Sequence, residues 1–383
     1  MDLQSPCAFL GGLSPTQFMR RHWQRKPLLV RQAMPGVAAP ATRAQLFALA
    51  GRDDVESRLV CRDGKKWSVR QGPMQRRALP PIARANWTLL VQGLDLHLHA
   101  AQDMLSQFRF LPDARLDDLM VSWASDGGGV GPHLDSYDVF LIQVQGQRRW
   151  RIGPVLAQAD EAFVEGLPLK ILRRFEPSQE WLLEPGDMLY LPPRWAHDGV
   201  AVGECMTCSV GFRASTSDEL ARELLGRLAD EEASSSPARY SDRGDDATSA
   251  PGLIPQRLQD FARQSVQRLL EQPDALACAL GESLTEPKPS VWFESGTGPA
   301  DIDHGVQLAL GSRMMYDMQR VYINGEAFSA SGRDASAMHR LADLRMLDAR
   351  ACSRLGASAQ ALLAQWLAQG WLVPRQAKNV SMP

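Results

Sequence analysis

The spacing of apolar and polar positions along this chain changes from a strand period to a helix period near residue 215. Before that point, short β-rich runs at 119–124, 139–144, 149–152, 188–191 and 207–212 predict strands. Gly127-Gly128-Gly129, Gly146 and Pro185-Gly186 separate them as turns. Many short strands punctuated in this way predict a sandwich or barrel. Helical patterns at 13–25 and 43–50 would decorate it.

After residue 215, Thr216 and Glu219 match a capping box, and Leu220, Leu224 and Leu228 recur on one helical face. The stretch 231–252 is rich in Ser, Asp, Ala and Pro and nearly empty of large aliphatics, which predicts a linker between two helices. Pro255 suits the start of the second helix, whose apolar positions are Leu258, Phe261, Val266, Leu269 and Leu270. Further on, Val321-Tyr322-Ile323, Asn324-Gly325 and Glu326-Ala327-Phe328 predict a β-hairpin, because Asn-Gly accepts the positive φ of a two-residue turn. A helix at 359–369, with Leu363, Trp366 and Leu367 on one face, is stopped by Gly370 and followed by a strand at 371–373. Small helices with a hairpin suggest a winged-helix-like unit. Three regions follow: 1–215, 216–275 and 276–383.

Composition narrows the class. The chain has 383 residues, 44% hydrophobic and 22% charged, enough for two or three cores and inconsistent with disorder. Lys plus Arg number 42 against 44 Asp plus Glu, a formal charge of −2. Nucleic acid is therefore not expected as a partner, and any contact with it must be local. No run approaches the roughly 20 apolar residues of a membrane helix, so no membrane partner is expected. Residues 1–12 carry Asp2 and lack the basic start and apolar core of a signal peptide, so a cytoplasmic location is expected. Six cysteines are too sparse for a disulfide scaffold and fit a reducing compartment. Cys205 and Cys208 form a C-x-x-C without the second ligand pair of a zinc site.

The densest chemistry lies at Gly131-Pro132-His133-Leu134-Asp135-Ser136-Tyr137-Asp138. In a strand, His133 and Asp135 would point to one side. His197, beyond the Pro185-Gly186-Asp187 turn, is the candidate third ligand. Two imidazoles and one carboxylate form the facial triad of non-haem iron(II), although zinc or manganese accepts the same donors. His22, His97, His99, His304 and His339 lack such a setting; His97 and His99 share a strand-like spacing and read as surface or structural. Strand alternation places Arg149 and Arg151 on one face and Arg148 on the other, which supports one buried guanidinium suited to a carboxylate.

The segments GGGVGPHLDSYDVFLIQVQGQRRWRIG, PGDMLYLPPRWAHDGVA and CSVGFRA resemble the cupin-type JmjC-domain oxygenases, and specifically the bacterial ribosomal oxygenases. The resemblance implies a mainly β fold with α: a double-stranded β-helix (cupin/JmjC jelly roll), a helical dimerisation segment and a C-terminal winged-helix domain. It implies an iron(II)- and 2-oxoglutarate-dependent dioxygenase that hydroxylates an arginine at C-3 in large-subunit ribosomal protein L-sixteen, acting as a homodimer. Fe(II) would be held by His133, Asp135 and His197. The co-substrates would be 2-oxoglutarate and O2, with Arg148 on the distal carboxylate of 2-oxoglutarate and hydroxyl contacts from Ser122 and Ser209. Tyr137, Asp138 and Asp126 would face a basic substrate at a mouth where Asp126, Asp135 and Asp138 cluster. Trp123, Tyr137, Trp150 and Trp195 would form walls. Two alternatives stay open. One is another JmjC enzyme, a histidine hydroxylase or lysine demethylase. The other is a non-catalytic winged-helix protein that touches nucleic acid through Arg340, Arg345, Arg350 and Arg354, among which Asp343 and Asp348 intervene.

Overall fold

The computed structural model describes residues 2–156, 161–167, 169–231, 238–243, 247–271, 274–296 and 302–375. It divides into two compact units, residues 1–214 and 215–383. Residues 216–275, the expected helical segment, lie in the second unit.

In the first unit, helices α1 (Pro15–Arg21), α2 (Arg43–Leu49) and α3 (His99–Ser106) accompany strands β1 (Leu28–Val30), β2 (Ser57–Asp63), β3 (Lys66–Gln71), β4 (Trp87–Val91), β5 (Leu116–Ala124), β6 (Val139–Val155), β7 (Gln179–Leu183), β8 (Met188–Leu191) and β9 (Trp195–Phe212). Ser14 and Thr42 close complete capping boxes with Gln17 and Gln45, which sets where α1 and α2 begin. The strands run antiparallel in the order β1-β8-β6-β9-β5-β4-β2-β3, with β7 also paired to β6. This is a double-stranded β-helix. Its two longest strands, β6 and β9, pair along almost their whole length: Val139–Gln143 face Thr207–Gly211, and Gln147–Ile152 face His197–Val202.

Between those stretches the register shifts at residues 143–147. Gly146 turns there with φ +63°, and a Cβ at this position would strike the carbonyl of Glu204. The irregularity has a consequence for side-chain direction. Val139 and Leu141 line the interior before it, whereas Arg148 and Trp150 line it afterwards. A one-residue slip flips every later side chain to the other face. Phe140, Ile142, Tyr190 and Phe212 point away from the interior and bury against the helices. Trp87, Trp123 and Phe47 form an aromatic cluster of edge-on and tilted rings in the same layer.

The second unit holds α4 (Ser217–Glu231), α5 (Gln256–Glu271) and α6 (Ala275–Thr285). Thr216 accepts from the backbone N–H of Glu219 (3.2 Å), and Glu219 accepts from that of Thr216 (2.9 Å), closing the expected capping box. Leu224 and Leu228 of α4 are buried with Ala279 of α6. Residues 232–237 and 244–246 of the expected linker lie outside the described residues; its remaining described part beyond Glu231 carries no helix or strand. Further on, two three-stranded sheets and helices α7 (Gly332–Leu344), α8 (Ala349–Ser353) and α9 (Ala357–Ala368) enclose a core around Trp366 and Leu363. The expected hairpin is present: Val321–Ile323 pair with Glu326–Phe328 across Asn324 (φ 50°) and Gly325 (φ 86°). Among the described residues, no helix is long and apolar enough to cross a membrane.

Candidate active site

A cavity of about 430 Å3 opens inside the β-helix. Its lining follows strand alternation: Arg58 and Val60 from β2, Thr88 and Leu90 from β4, Asp118, Met120 and Ser122 from β5, and Ser209 from β9.

At one end His133, Asp135 and His197 converge, with their donor atoms all within 4.8 Å of one another. The two histidines face each other as a backbone bridge. The N–H of His133 donates to the His197 carbonyl (2.9 Å), and that of His197 donates back (2.8 Å). The Arg194 N–H donates to the Asp135 carbonyl at 2.7 Å, so all three ligand-bearing backbones are held by protein. Each ring is oriented as well. His133 Nδ1 lies 2.9 Å from the Gly131 carbonyl and His197 Nδ1 lies 2.8 Å from the Trp195 carbonyl. A carbonyl only accepts, so Nδ1 carries the hydrogen and Nε2 is the free donor in both rings. Burial and the neighbouring His133 lower the pKa of His197 to about 4, so it stays neutral, as a metal ligand must. His197 Nε2 lies 3.6 Å from Asp135 Oδ2. Two imidazole nitrogens beside one carboxylate, facing an open cavity, fit iron(II).

Elsewhere in the cavity Arg148 is buried. One guanidinium nitrogen donates to Ser122 Oγ (3.1 Å), while Nε and the other terminal nitrogen find no partner. Among the described residues it forms no ion pair, whereas Arg149 pairs with Glu180 at 2.6 Å and Arg151 pairs with Asp198. A buried guanidinium without a counter-charge is costly unless an anion completes it. Ser122 and Ser209 lie in the same lining. This donor set fits a carboxylate, and therefore the distal end of 2-oxoglutarate.

Tyr137 lines the cavity, and its phenol is driven far up in pKa by burial and by Asp135 and Asp118, so it remains neutral. Trp150 lines it too. Other expected residues do not reach it. Asp138 is fully buried on the opposite face of β6, accepting from the Tyr190 hydroxyl (2.6 Å) and Gln24 Nε2 (3.1 Å), with Arg115 at 3.5 Å. Asp126 is exposed at a turn and accepts from the Gly203 backbone N–H (2.8 Å). The expected cluster of Asp126, Asp135 and Asp138 therefore does not form at the mouth. Trp123 is a core residue that donates to Glu204 (2.9 Å), and Trp195, outside the lining, packs on the apolar cluster that includes Val139, Leu141 and Trp150. His97 and His99 end a 3-10 turn and begin α3, so their expected strand-like spacing is not realised.

The acidic residues at the cavity are instead Asp117 and Asp118 beside Asp135. Asp118 is buried and accepts from the Gly93 backbone N–H (2.9 Å). A register shift in β5 between Leu116 and Leu119 lets neighbouring residues both reach the lining. The sequence signal was two acids opening a run whose next alternate members, Met120 and Ser122, face the interior. The expected strand began two residues too late to include them.

The burial of Asp138 carries its own expectation. Asp138→Ala strands the Tyr190 hydroxyl and the Gln24 amide, and should lower unfolding free energy by about 2–3 kcal/mol in urea. Turnover below the unfolding transition should be unchanged. A loss of turnover in folded protein would instead return Asp138 to the active site.

Comparisons with known proteins identify the family. Residues 103–220 match the model of the JmjC domain and residues 268–373 that of the ROXA-like winged helix. The Escherichia coli ribosomal protein uL16 3-hydroxylase is 33% identical over 331 residues, covering 83% of this chain and 86% of that protein. The chain belongs to the JmjC ribosomal oxygenase family. A probable ribosomal oxygenase of Haemophilus influenzae is 36% identical over 52% of this chain and 50% of its own length. The solved structure of YcfD, a ribosomal oxygenase from Escherichia coli, in complex with cobalt and 2-oxoglutarate superposes with a TM-score of 0.79 at 31% identity, over 94% of this chain and 98% of that one. The winged-helix match lies within the second unit. Of the four arginines considered for nucleic acid, Arg345 donates to the carbonyls of Ala309 (2.9 Å) and Ser312 (3.1 Å), a structural role.

Proposed function

We propose that this ribosomal oxygenase is an iron(II)- and 2-oxoglutarate-dependent hydroxylase of large-subunit ribosomal protein uL16, adding a hydroxyl at C-3 of an arginine. The observation that carries the reading is Arg148: a buried guanidinium with two unpartnered nitrogens in the same cavity as a two-histidine, one-carboxylate cluster. When bound, iron(II) with 2-oxoglutarate and O2 supplies the oxidising chemistry that inserts one oxygen atom into a C–H bond, the co-substrate leaving as succinate and carbon dioxide.

The residues of this chain do the rest. His133, Asp135 and His197 would hold the metal, Asp135 being the single anionic donor. Arg148, with Ser122 and Ser209, would hold the distal carboxylate and so fix how the co-substrate lies. Val139, Leu141 and Trp150 give the cavity an apolar wall that limits water near the reacting centre. Asp118, with Asp117 beside Arg213 (3.7 Å), would supply negative charge where a cationic side chain would enter, favouring a guanidinium over a neutral ring. Tyr137, at the same rim, would orient it.

The test is direct. The purified protein is incubated with iron(II), 2-oxoglutarate and uL16, and the product mass and succinate are measured. Stoichiometric succinate with a mass gain of one oxygen atom on an arginine is the expected result. Oxygen on a histidine, loss of a lysine methyl group, or no product would overturn the reading.

We also place the protein in the cytoplasm and as a homodimer. All six cysteines are free, in keeping with a reducing compartment. Helix α5 has no buried residue, and its Leu258, Val266 and Leu270 stand exposed on an amphipathic helix. Such a face is what a second copy would cover. Val266→Asp is expected to halve the mass seen by sedimentation equilibrium without unfolding the chain. An unchanged mass would remove α5 from the interface.

A further inference from the structure

The small net charge of the chain conceals a segregation. Residues 58–84 hold eight basic residues and one acidic residue, Asp63. Arg58 faces the cavity. Lys65, Lys66, Arg70, Arg76, Arg77 and Arg84 are exposed, and none forms an ion pair among the described residues.

Register assigns Lys66 and Arg70 to one face. In β3, Lys66, Ser68 and Arg70 alternate with Trp67 and Val69, and the pairs Cys61–Ser68 and Leu59–Arg70 share the outer side of β2. The covering segment runs back over that side. Leu79, Pro80 and Arg84 join Cys61, Ser68 and Arg70 around a second cavity of about 390 Å3, wide open to solvent. Arg70 donates to the Ala78 carbonyl and spans the groove. The other side of the hairpin belongs to the active site: Val60 lines it, and a Cβ on Gly131 would lie 3.2 Å from the Trp67 ring. Arg62 lies over that ring at 5.6 Å. One hairpin therefore has a catalytic inner face and a basic outer face.

Charged residues on an edge strand also prevent pairing with other chains, and β3 is such an edge. That accounts for Lys66 and Arg70. Arg76 lies over the Phe47 ring at 5.1 Å; Arg77 and Arg84, also off the strand, and the lack of carboxylates among these groups are not accounted for in this way.

We propose that the outer face of the β2–β3 hairpin is an RNA-docking surface that grips a phosphate backbone next to the mouth of the active site. Arg70 and Arg84 on this face carry a fork that matches phosphate oxygens bidentately. Ile82 is the one large exposed aliphatic in the segment among the described residues, too little apolar surface for insertion into lipid. The choice of RNA among polyanions rests on the ribosomal substrate proposed above; the basic face itself does not. An enzyme with this surface engages its ribosomal protein where RNA lies nearby.

The test uses the full-length protein and a fluorescein-labelled single-stranded 24-nucleotide RNA, read by anisotropy. If four cations each meet one phosphate, binding should weaken roughly 50-fold between 50 and 200 mM salt. Arg70→Glu with Arg84→Glu should weaken it at least about tenfold, and the charge-removing pair Arg70→Gln with Arg84→Gln should weaken it less. Arg350→Glu with Arg354→Glu, in the winged-helix unit, should leave it unchanged. Hydroxylation of free uL16 should be unaffected by all three pairs. No RNA binding at 50 mM salt overturns the proposal, as does loss of binding only in the Arg350 and Arg354 pair. Equal affinity for phosphatidylglycerol vesicles or for polyglutamate, lost with the same Arg70 and Arg84 changes, also overturns RNA as the partner. If uL16 is not hydroxylated while RNA binding and its dependence on Arg70 persist, the substrate reading falls and the docking surface stands.

Discussion

Asp135→Ala should abolish hydroxylation while leaving the protein folded. Asp135 is the only anionic member of the cluster, and its removal leaves two neutral imidazoles facing a divalent cation. Residues that merely orient ligands contribute 10- to 100-fold to affinity or activity, so loss of the charged ligand itself should exceed about 100-fold. The fold should not suffer. The His133–His197 bridge is made by backbone groups, and Asp135 contributes its carbonyl, which alanine retains. Two measurements check this: succinate release should vanish, and the rise in thermal midpoint on adding metal should vanish with it, while the metal-free midpoint stays put. Full activity in the variant would show that the metal lies elsewhere.

Arg148→Met should act in opposite directions on stability and on function. Arg148 is buried with Nε and one terminal nitrogen unpartnered, so the metal-free protein carries the cost of a desolvated charge. Methionine keeps the unbranched stem beside Trp150 and removes that charge. The thermal midpoint without ligands should therefore stay level or rise. Affinity for 2-oxoglutarate should fall, because truncating one partner of a buried charge pair costs about 3 kcal/mol, or roughly 100-fold. The signature is a raised KM for 2-oxoglutarate with a much smaller change in kcat. Unchanged KM would remove Arg148 from the co-substrate site, and a lowered midpoint would show that its role is structural.

These two variants rest on residues that local pattern alone had marked. His133 and Asp135 sit two apart, and His197 follows a turn that launches a strand. Arg148 emerges from the alternation of Arg149 and Arg151. The same alternation, applied along all of β6, would have excluded Asp138: Val139 and Leu141 face inward, so Asp138 and Phe140 face the helices. Proximity in sequence to the metal ligands outweighed period, and period was the better guide. Trp123 follows the same logic, next to the inward Ser122. What no period could supply is the slip at Gly146. Counting by twos from Leu141 places Arg149 inside, and only the local irregularity puts Arg148 there. Asp117 and Asp118 escaped for a related reason, since the β5 register shift lies outside any regular pattern. The winged-helix hairpin and the capping box at Thr216 were legible because turn and cap chemistry are local. The packing of Leu224 and Leu228 of α4 on Ala279 of α6 depends on long-range contact and was not.

The backbone bridge between the two ligand histidines has a consequence for metal economy in the cell. The site does not choose its ion through its strand pairing: the two histidine segments are tied by peptide hydrogen bonds, which involve no side-chain donor. Its donors, two imidazole nitrogens and a carboxylate, bind most first-row divalent ions in order of intrinsic affinity, and iron(II) stands low in that order. Occupancy by the productive ion is then set by supply. Under iron starvation or zinc excess the chain would remain intact and abundant yet idle, so modification of its substrate would report on the iron status of the cell.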